Sequence, residues 1–117
     1  MTDPDADCLF CRIVAGEIPS DRVHEDEEVL AFRDIHPQAP THVLLVPRRH
    51  VPDIDTLEDD DAGLLRALFA AVRRVAEQER LAKGYRVVTN VGAEAGQSVF
   101  HLHLHLLGGR PMRWPPG

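Results

Sequence analysis

The sequence predicts an α+β fold: a mainly antiparallel five-stranded sheet, one long helix across one of its faces, and one short helix near the start. Three patterns carry this. Residues 60–82 hold a single amphipathic helical repeat, HVLLVP is a near-continuous branched run closed by Pro47, and VFHLHLHLL alternates without a break. The strands are short and separated by turn residues, and the chain has too few crossovers to wind a parallel sheet.

Taken in order, residues 1–7 read as a polar, disordered tail, and 8–117 as one domain. CLFCRIVAGEI places Leu9, Phe10 and Ile13 at helical spacing and is stopped by Gly16 and Pro19, which predicts a short helix with one buried side. RVHEDEEVLAFRD reads as two strands around an acidic turn, with Val29 to Phe32 as the apolar run. IHPQAPT is a proline loop, and His42 opens the HVLLVP strand. Asp59 to Asp61 suit the start of the long helix. Leu64, Leu65, Leu68, Phe69, Val72, Val75 and Ala76 form its apolar side, and Lys83 and Gly84 suit its end. YRVVTNV is a strand and VGAEAGQS a loop. In the last strand Phe100, Leu102, Leu104 and Leu106 share one face and His101, His103 and His105 the other.

At 117 residues and 44% apolar content, wholesale disorder is disfavoured. A net charge of -6 argues against a nucleic-acid backbone as partner, though it permits a single nucleotide. The acidic clusters at Asp3–Asp7, Glu25–Glu28 and Glu58–Asp61 read as solvated ends and turns. The start lacks the pattern of an export signal and no apolar run spans a bilayer, so a cytoplasmic location without a membrane partner is expected.

Same-face histidines on a strand stand roughly 6–7 Å apart. The row at 101, 103 and 105 admits three readings: surface imidazoles, a metal row or a catalytic row. The preceding loop favours catalysis, because Gly92, Gly96, Gln97 and Ser98 offer N–H groups and a hydroxyl for an anion nest. Imidazole is nucleophilic at neutral pH, and no P-loop lysine or carboxylate pair points to magnesium, so metal-free phosphoryl chemistry is expected. The Cys8–Cys11 pair is compatible with zinc, with plain thiols or with a redox pair. Two cysteines alone do not close a tetrahedral site. Trp114, in a tail rich in proline, reads as an interface residue or as packing on its own sheet. His24 and His36 read as surface residues.

HLHLHLL at 101–107, DIHPQAPTHVLLVP, GYRVVTNVGAEAGQSVFHLHLHLLGG and the terminal WPPG together resemble the histidine-triad (HIT) nucleotide-binding family, in its nucleoside phosphoramidase branch, over 8–117. The resemblance implies a HIT-like fold whose sheet is continued across a homodimer. It implies hydrolysis of purine nucleoside phosphoramidates, of the adenosine 5′-phosphoramidate type, through a nucleotidyl-histidine. His103 is then the nucleophile, His105 contacts the α-phosphate, His101 orients His103 through its backbone, and His42 completes the set. Asp34 is implied to hold the ribose hydroxyls, where a turn cap is the plain alternative. Asn90, Gly96, Gln97 and Ser98 are implied on the phosphate side, with Ser98 also assisting the departing amine. A backbone brace at Asn90 and a loop cap at Ser98 are the alternatives. Phe10, Ile18, Phe32 and Ile35 are implied around the purine, and core packing competes with that role for Phe32 and Ile35.

By the same resemblance Cys8, Cys11, His50 and His101 hold a structural zinc that catalysis does not require. The tail with Trp114 reaches toward the partner's site. Rival readings are a dinucleoside polyphosphate hydrolase, a nucleotide-binding regulator and a purely structural zinc protein. The terminal RPMRWPPG favours the phosphoramidase branch over the first.

Overall fold

The computed structural model describes residues 7–117, so all but the last position of the tail expected over 1–7 lies outside the described residues. The elements run α1 (Leu9–Val14), β1 (Arg22–Glu25), β2 (Val29–Arg33), β3 (Thr41–Pro47), α2 (Ala62–Gln78), β4 (Tyr85–Val88) and β5 (Leu104–Gly108). The five strands form one antiparallel sheet in the order β1-β2-β3-β5-β4. This is the α+β architecture the sequence predicts.

Strand alternation divides the sheet into two apolar faces. Val29, Ala31, Val43, Leu45, Leu104 and Leu106 pack with Leu68, Ala71, Val72 and Val75 of α2. Leu30, Phe32, Leu44 and Val46 point the other way and pack with Phe10 and Ile13 of α1. Register then carries this second face across to β5, where Leu44 sits opposite His105 and His42 opposite Leu107. The histidines therefore share a face with α1, and α2 lies behind them.

The last strand differs from its sequence reading. Its ladder begins at Leu104 and not at Val99, and Phe100 is 52% exposed. His101 and Leu102 are both buried, because this stretch runs under α1 on one side and residues 47–51 on another. Leu102 N–H donates to the Val51 carbonyl at 2.6 Å, which holds the segment without a strand partner. Covered on several sides, it loses the in–out alternation of a half-buried strand.

The helices are shorter than the periodicity indicates. Asp59–Asp61 form a 3-10 turn ahead of α2, tied by the Asp61 carboxylate accepting Glu58 N–H at 2.9 Å. At its far end α2 stops before Lys83 and Gly84. Arg80 takes φ 58, Leu81 N–H reaches the Ala76 carbonyl and Arg80 N–H the Glu77 carbonyl, with Leu81 buried beneath. This is a Schellman closure with arginine where glycine is usual. Phe69 on α2 and Leu9 on α1, both expected inside, are about half exposed at 50% and 44%. No helix among the described residues is long and apolar enough to cross a membrane.

Gly109 closes β5 at φ +90, and a Cβ there would come within 2.9 Å of Pro40, which frames the loop leading to His42. Leu68 is fully buried between α2 and the sheet. Leu68→Ala is expected to cost about 2–5 kcal/mol in a denaturant titration, and a loss under about 1 kcal/mol would contradict the packing described.

Candidate active site and metal cluster

β3 and β5 bring His42 and His105 together, and the extended lead into β5 delivers His103 beside them. The ring centroids of His103 and His105 are 5.0 Å apart, and those of His42 and His105 5.2 Å. Backbone groups set the tautomers. Gln38 N–H donates to His42 Nδ1 at 3.1 Å, so the His42 proton sits on Nε2. That Nε2–H donates to His105 Nδ1 at 2.9 Å, which leaves the His105 proton on Nε2. His103 Nδ1–H donates to the His101 carbonyl at 2.7 Å, so its Nε2 carries a lone pair. The result is one acceptor nitrogen and one donor nitrogen on neighbouring rings.

Burial keeps these rings neutral. It pushes the His103 imidazole below its ordinary value, against the opposing pull of the His101 carbonyl and the Asp34 charge. Burial, then repulsion from His103 and His42, pushes His105 down to about 4. His42 is lowered by burial too, with Asp34 opposing. Asp34 Oδ2 stands 3.5 Å from His42 Nε2, while Oδ1 accepts the His36 N–H at 2.8 Å. The turn-cap role of Asp34 is thus real, and its second oxygen still faces the histidines.

Among the other residues singled out by sequence, Phe10 and Phe32 are each 4% exposed and meet edge-on at 5.6 Å, and the Phe10 ring in turn lies against His103. Ile18 is half-buried against the same cluster. Ile35 is 86% exposed, so core packing is not its role. Gln97 is buried and braces its own loop: Oε1 accepts Gly92 N–H, while Nε2 donates to the Pro52 and Val99 carbonyls. The side chain of Gln97 is therefore already engaged within the protein. Gly96 adopts φ +101 beside the Asn90 side chain, and Ser98 is exposed. Trp114 is 83% exposed, so it does not pack on its own sheet. His36 is exposed as expected, but His24 is half-buried and bonded to Asp26 at 2.8 Å.

A second cluster lies on the other side of His101. The donor atoms of Cys8, Cys11, His50 and His101 all lie within 4.8 Å of one another. Cys8 Sγ and Cys11 Sγ are each 3.4 Å from His101 Nδ1, and Cys11 Sγ is 3.2 Å from His50 Nδ1. A tetrahedron with zinc–sulfur bonds of about 2.3 Å and zinc–nitrogen bonds of about 2.0–2.1 Å has a sulfur–nitrogen edge of about 3.5 Å. His101 Nε2–H donates to the Pro47 carbonyl at 2.8 Å, which turns the Nδ1 lone pair toward the thiols, the usual outer-shell arrangement of a ligating histidine. The set fits a structural, four-ligand zinc site, which leaves no coordination position open to a substrate.

Sequence reasoning did not find the backbone groups that hold the site: the Gln38 N–H and the Pro47 carbonyl. Nor did it find Thr89, whose hydroxyl donates to the His103 carbonyl at 2.9 Å. Main-chain groups leave no residue-type signature. Thr89 left no signal either: the sequence reading places it inside the YRVVTNV strand, whereas β4 ends at Val88.

The HIT domain profile matches residues 15–112. An uncharacterized HIT-like protein of Synechocystis is 48% identical over 111 residues, covering 95% of this chain and 97% of that protein. The crystal structure of a HIT family hydrolase from Legionella pneumophila superposes with a TM-score of 0.93 at 53% identity, covering 95% of this chain and all of that one. A histidine triad nucleotide-binding protein from Candida albicans superposes with a TM-score of 0.80 at 33% identity, over 93% of this chain and 83% of that one.

The low His105 value has a testable sign. The unfolded chain takes up this proton near the ordinary 6.5 and the folded chain only near about 4, so its contribution to stability is whole above 6.5 and drains away between 6.5 and 4. The denaturation midpoint is expected to fall as pH drops through that window. The His105 ring resonance is expected to stay flat from pH 8 to 5. A His105 titration centred near 6.5 would contradict the burial argument.

Proposed function

Because the chain belongs to the HIT domain family, we propose that it is a hydrolase of purine nucleoside phosphoramidates, with His103 as nucleophile. The observation that carries this is the hydrogen bond from His103 Nδ1–H to the His101 carbonyl, which leaves Nε2 as an aimed, neutral lone pair. The names of the Legionella hydrolase and the Candida nucleotide-binding protein support the class.

In the proposed reaction His103 Nε2 forms a bond to phosphorus as the phosphorus–nitrogen bond breaks. The leaving amine takes a proton, for which the exposed Ser98 hydroxyl is the proposed donor. His105 Nε2–H donates to a phosphate oxygen, steadied through His42. Water then bonds to phosphorus as the bond to His103 Nε2 breaks, one water proton returns to Ser98, and the nucleoside monophosphate leaves with His103 free again. Asp34 accepts ribose hydroxyls on the oxygen not engaged by His36. Ile35 and Ile18 line the base over the floor of Phe10 and Phe32. Asn90, Gly96 and the Gln97-braced loop shape the phosphate side. Cys8, Cys11, His50 and His101 would hold zinc, which would supply a cross-link between α1 and the sheet.

A cytoplasmic setting suits the two cysteines, which are thiols in the structure. A homodimer is part of the same reading. β4 is an open sheet edge, and Tyr85 and Trp114 are exposed near it or beyond it in the chain. A cleft of about 760 Å³ lies between the start of β4 and the tail, lined by Arg80, Tyr85, Arg110 and Met112 among others, and none of the triad residues lines it. We read it as room for a second copy, and not as the substrate site.

With adenosine 5′-phosphoramidate, His103→Ala is expected to lose at least about a thousand-fold in turnover while still binding nucleotide. Full activity in that variant would end this mechanism. Faster turnover of dinucleoside polyphosphates than of phosphoramidates would move the assignment to the hydrolase rival, and binding without turnover of either would move it to a regulator. Sedimentation at micromolar concentration is expected to give twice the chain mass of 13.1 kDa, and a single-chain mass would contradict the dimer.

A further inference from the structure

The metal cluster and the proposed nucleophile meet in one residue. The His101 ring belongs to the cluster through Nδ1, is anchored at Nε2 to the Pro47 carbonyl, and is fully buried. The carbonyl of that same residue accepts the His103 Nδ1–H at 2.7 Å. Any rotation of residue 101 therefore moves the acceptor that fixes the His103 ring.

A second path runs through α1. Phe10 sits in sequence between Cys8 and Cys11, and its ring meets the His103 ring edge-on at 5.0 Å and 87° and the His101 ring at 6.0 Å. α1 is only six residues long, and a helix of that length does not hold itself together in water. Its placement depends on the contacts of Phe10 and Ile13 and on the Cys8 and Cys11 cluster.

We infer that Cys8, Cys11 and His50 are positioning residues for the nucleophile: through His101 and Phe10, their cluster holds the His103 ring in the orientation from which Nε2 attacks. This rests on the reading of His103 as nucleophile. With the cluster joined by zinc, α1 and residue 101 move as one body. Without it, Phe10 and the His101 carbonyl are free to shift separately, and misplacement by about 1 Å costs up to about a hundred-fold in rate. The groups proposed for ribose and phosphate stand outside the cluster, so the loss falls first on kcat, and KM rises only as far as Phe10 also floors the base.

The test starts from the full-length, zinc-loaded protein. Removal of zinc by a chelator, and separately His50→Ala, are expected to lower kcat about ten-fold on adenosine 5′-phosphoramidate. Both are expected to abolish the low-field resonance of the hydrogen-bonded His103 Nδ1–H, with amide signals of the α2 core unchanged. Zinc re-addition to the chelated protein restores both readouts, and His50→Cys, which keeps a ligand, retains both. Should the zinc-free chain unfold, Phe10→Leu decides, since it keeps all four ligands: kcat about ten-fold down together with loss of the His103 resonance at full zinc content supports the inference, and a rise in KM with kcat and the resonance unchanged overturns it. If His103→Ala abolishes turnover while zinc removal and Phe10→Leu leave kcat and the resonance unchanged, the inference is overturned. If His103→Ala is itself fully active, the nucleophile reading has failed instead. If the wild-type protein turns over no substrate, the resonance alone decides the positioning.

Discussion

Burial of His101 is the constraint around which the rest of the site is arranged. With no exposed surface, each of its polar groups must find a partner inside the protein. Nε2–H goes to Pro47, Nδ1 faces the cysteines, and the carbonyl takes the His103 proton. These three directions tie together β3, α1 and the lead into β5. Replacing the side chain by an apolar one of similar size would leave the Pro47 carbonyl and the thiols without it, so the position is fixed by geometry and by polarity at once.

Around that anchor, electrostatics are set by exclusion of water more than by charge. The three rings of the site are held neutral chiefly by burial, and Asp34 is the carboxylate that opposes it in each case. A neutral relay needs no counterion when it is empty. It also presents a donor and an acceptor in fixed places, so little reorganisation is required when charge develops on a bound phosphate.

Much of this architecture was legible in the residues. The branched HVLLVP run and the amphipathic repeat after residue 60 specify a central strand and a covering helix, and both are there. The HLHLHLL pattern located the histidines but misdescribed their setting. Strict alternation implied a continuous strand from Val99, whereas residues 101–103 are covered from several sides and only Leu104 onward pairs in the sheet. Such burial comes from residues 47–51 and α1, which are distant in sequence and leave no local trace. The end of α2 was misplaced for a similar reason: Arg80 adopts the left-handed turn that glycine usually supplies, because Leu81 is buried beneath it. Resemblance to a family brought Cys8, Cys11, His50 and His101 together, where spacing alone left the cysteine pair open to three chemistries.

The contact of Cys8 with His101 joins residues 93 positions apart. α1 packs on Leu30, Phe32, Leu44 and Val46, yet its Phe10 and Cys8 also meet His101, which belongs to a segment far along the chain. Until residues 101–105 have been synthesised, Phe10 has no imidazole beneath it and the thiols have only His50. The hydrophobic layer between α2 and β2–β3 needs no such delay, since most of it comes from residues 29–76. The two layers therefore differ in reach along the chain: the one on α2 closes from neighbouring segments, and the cluster on α1 waits for residue 101. Closing the longer loop costs more chain entropy, so the cluster on α1 is the later and more easily opened part of the fold.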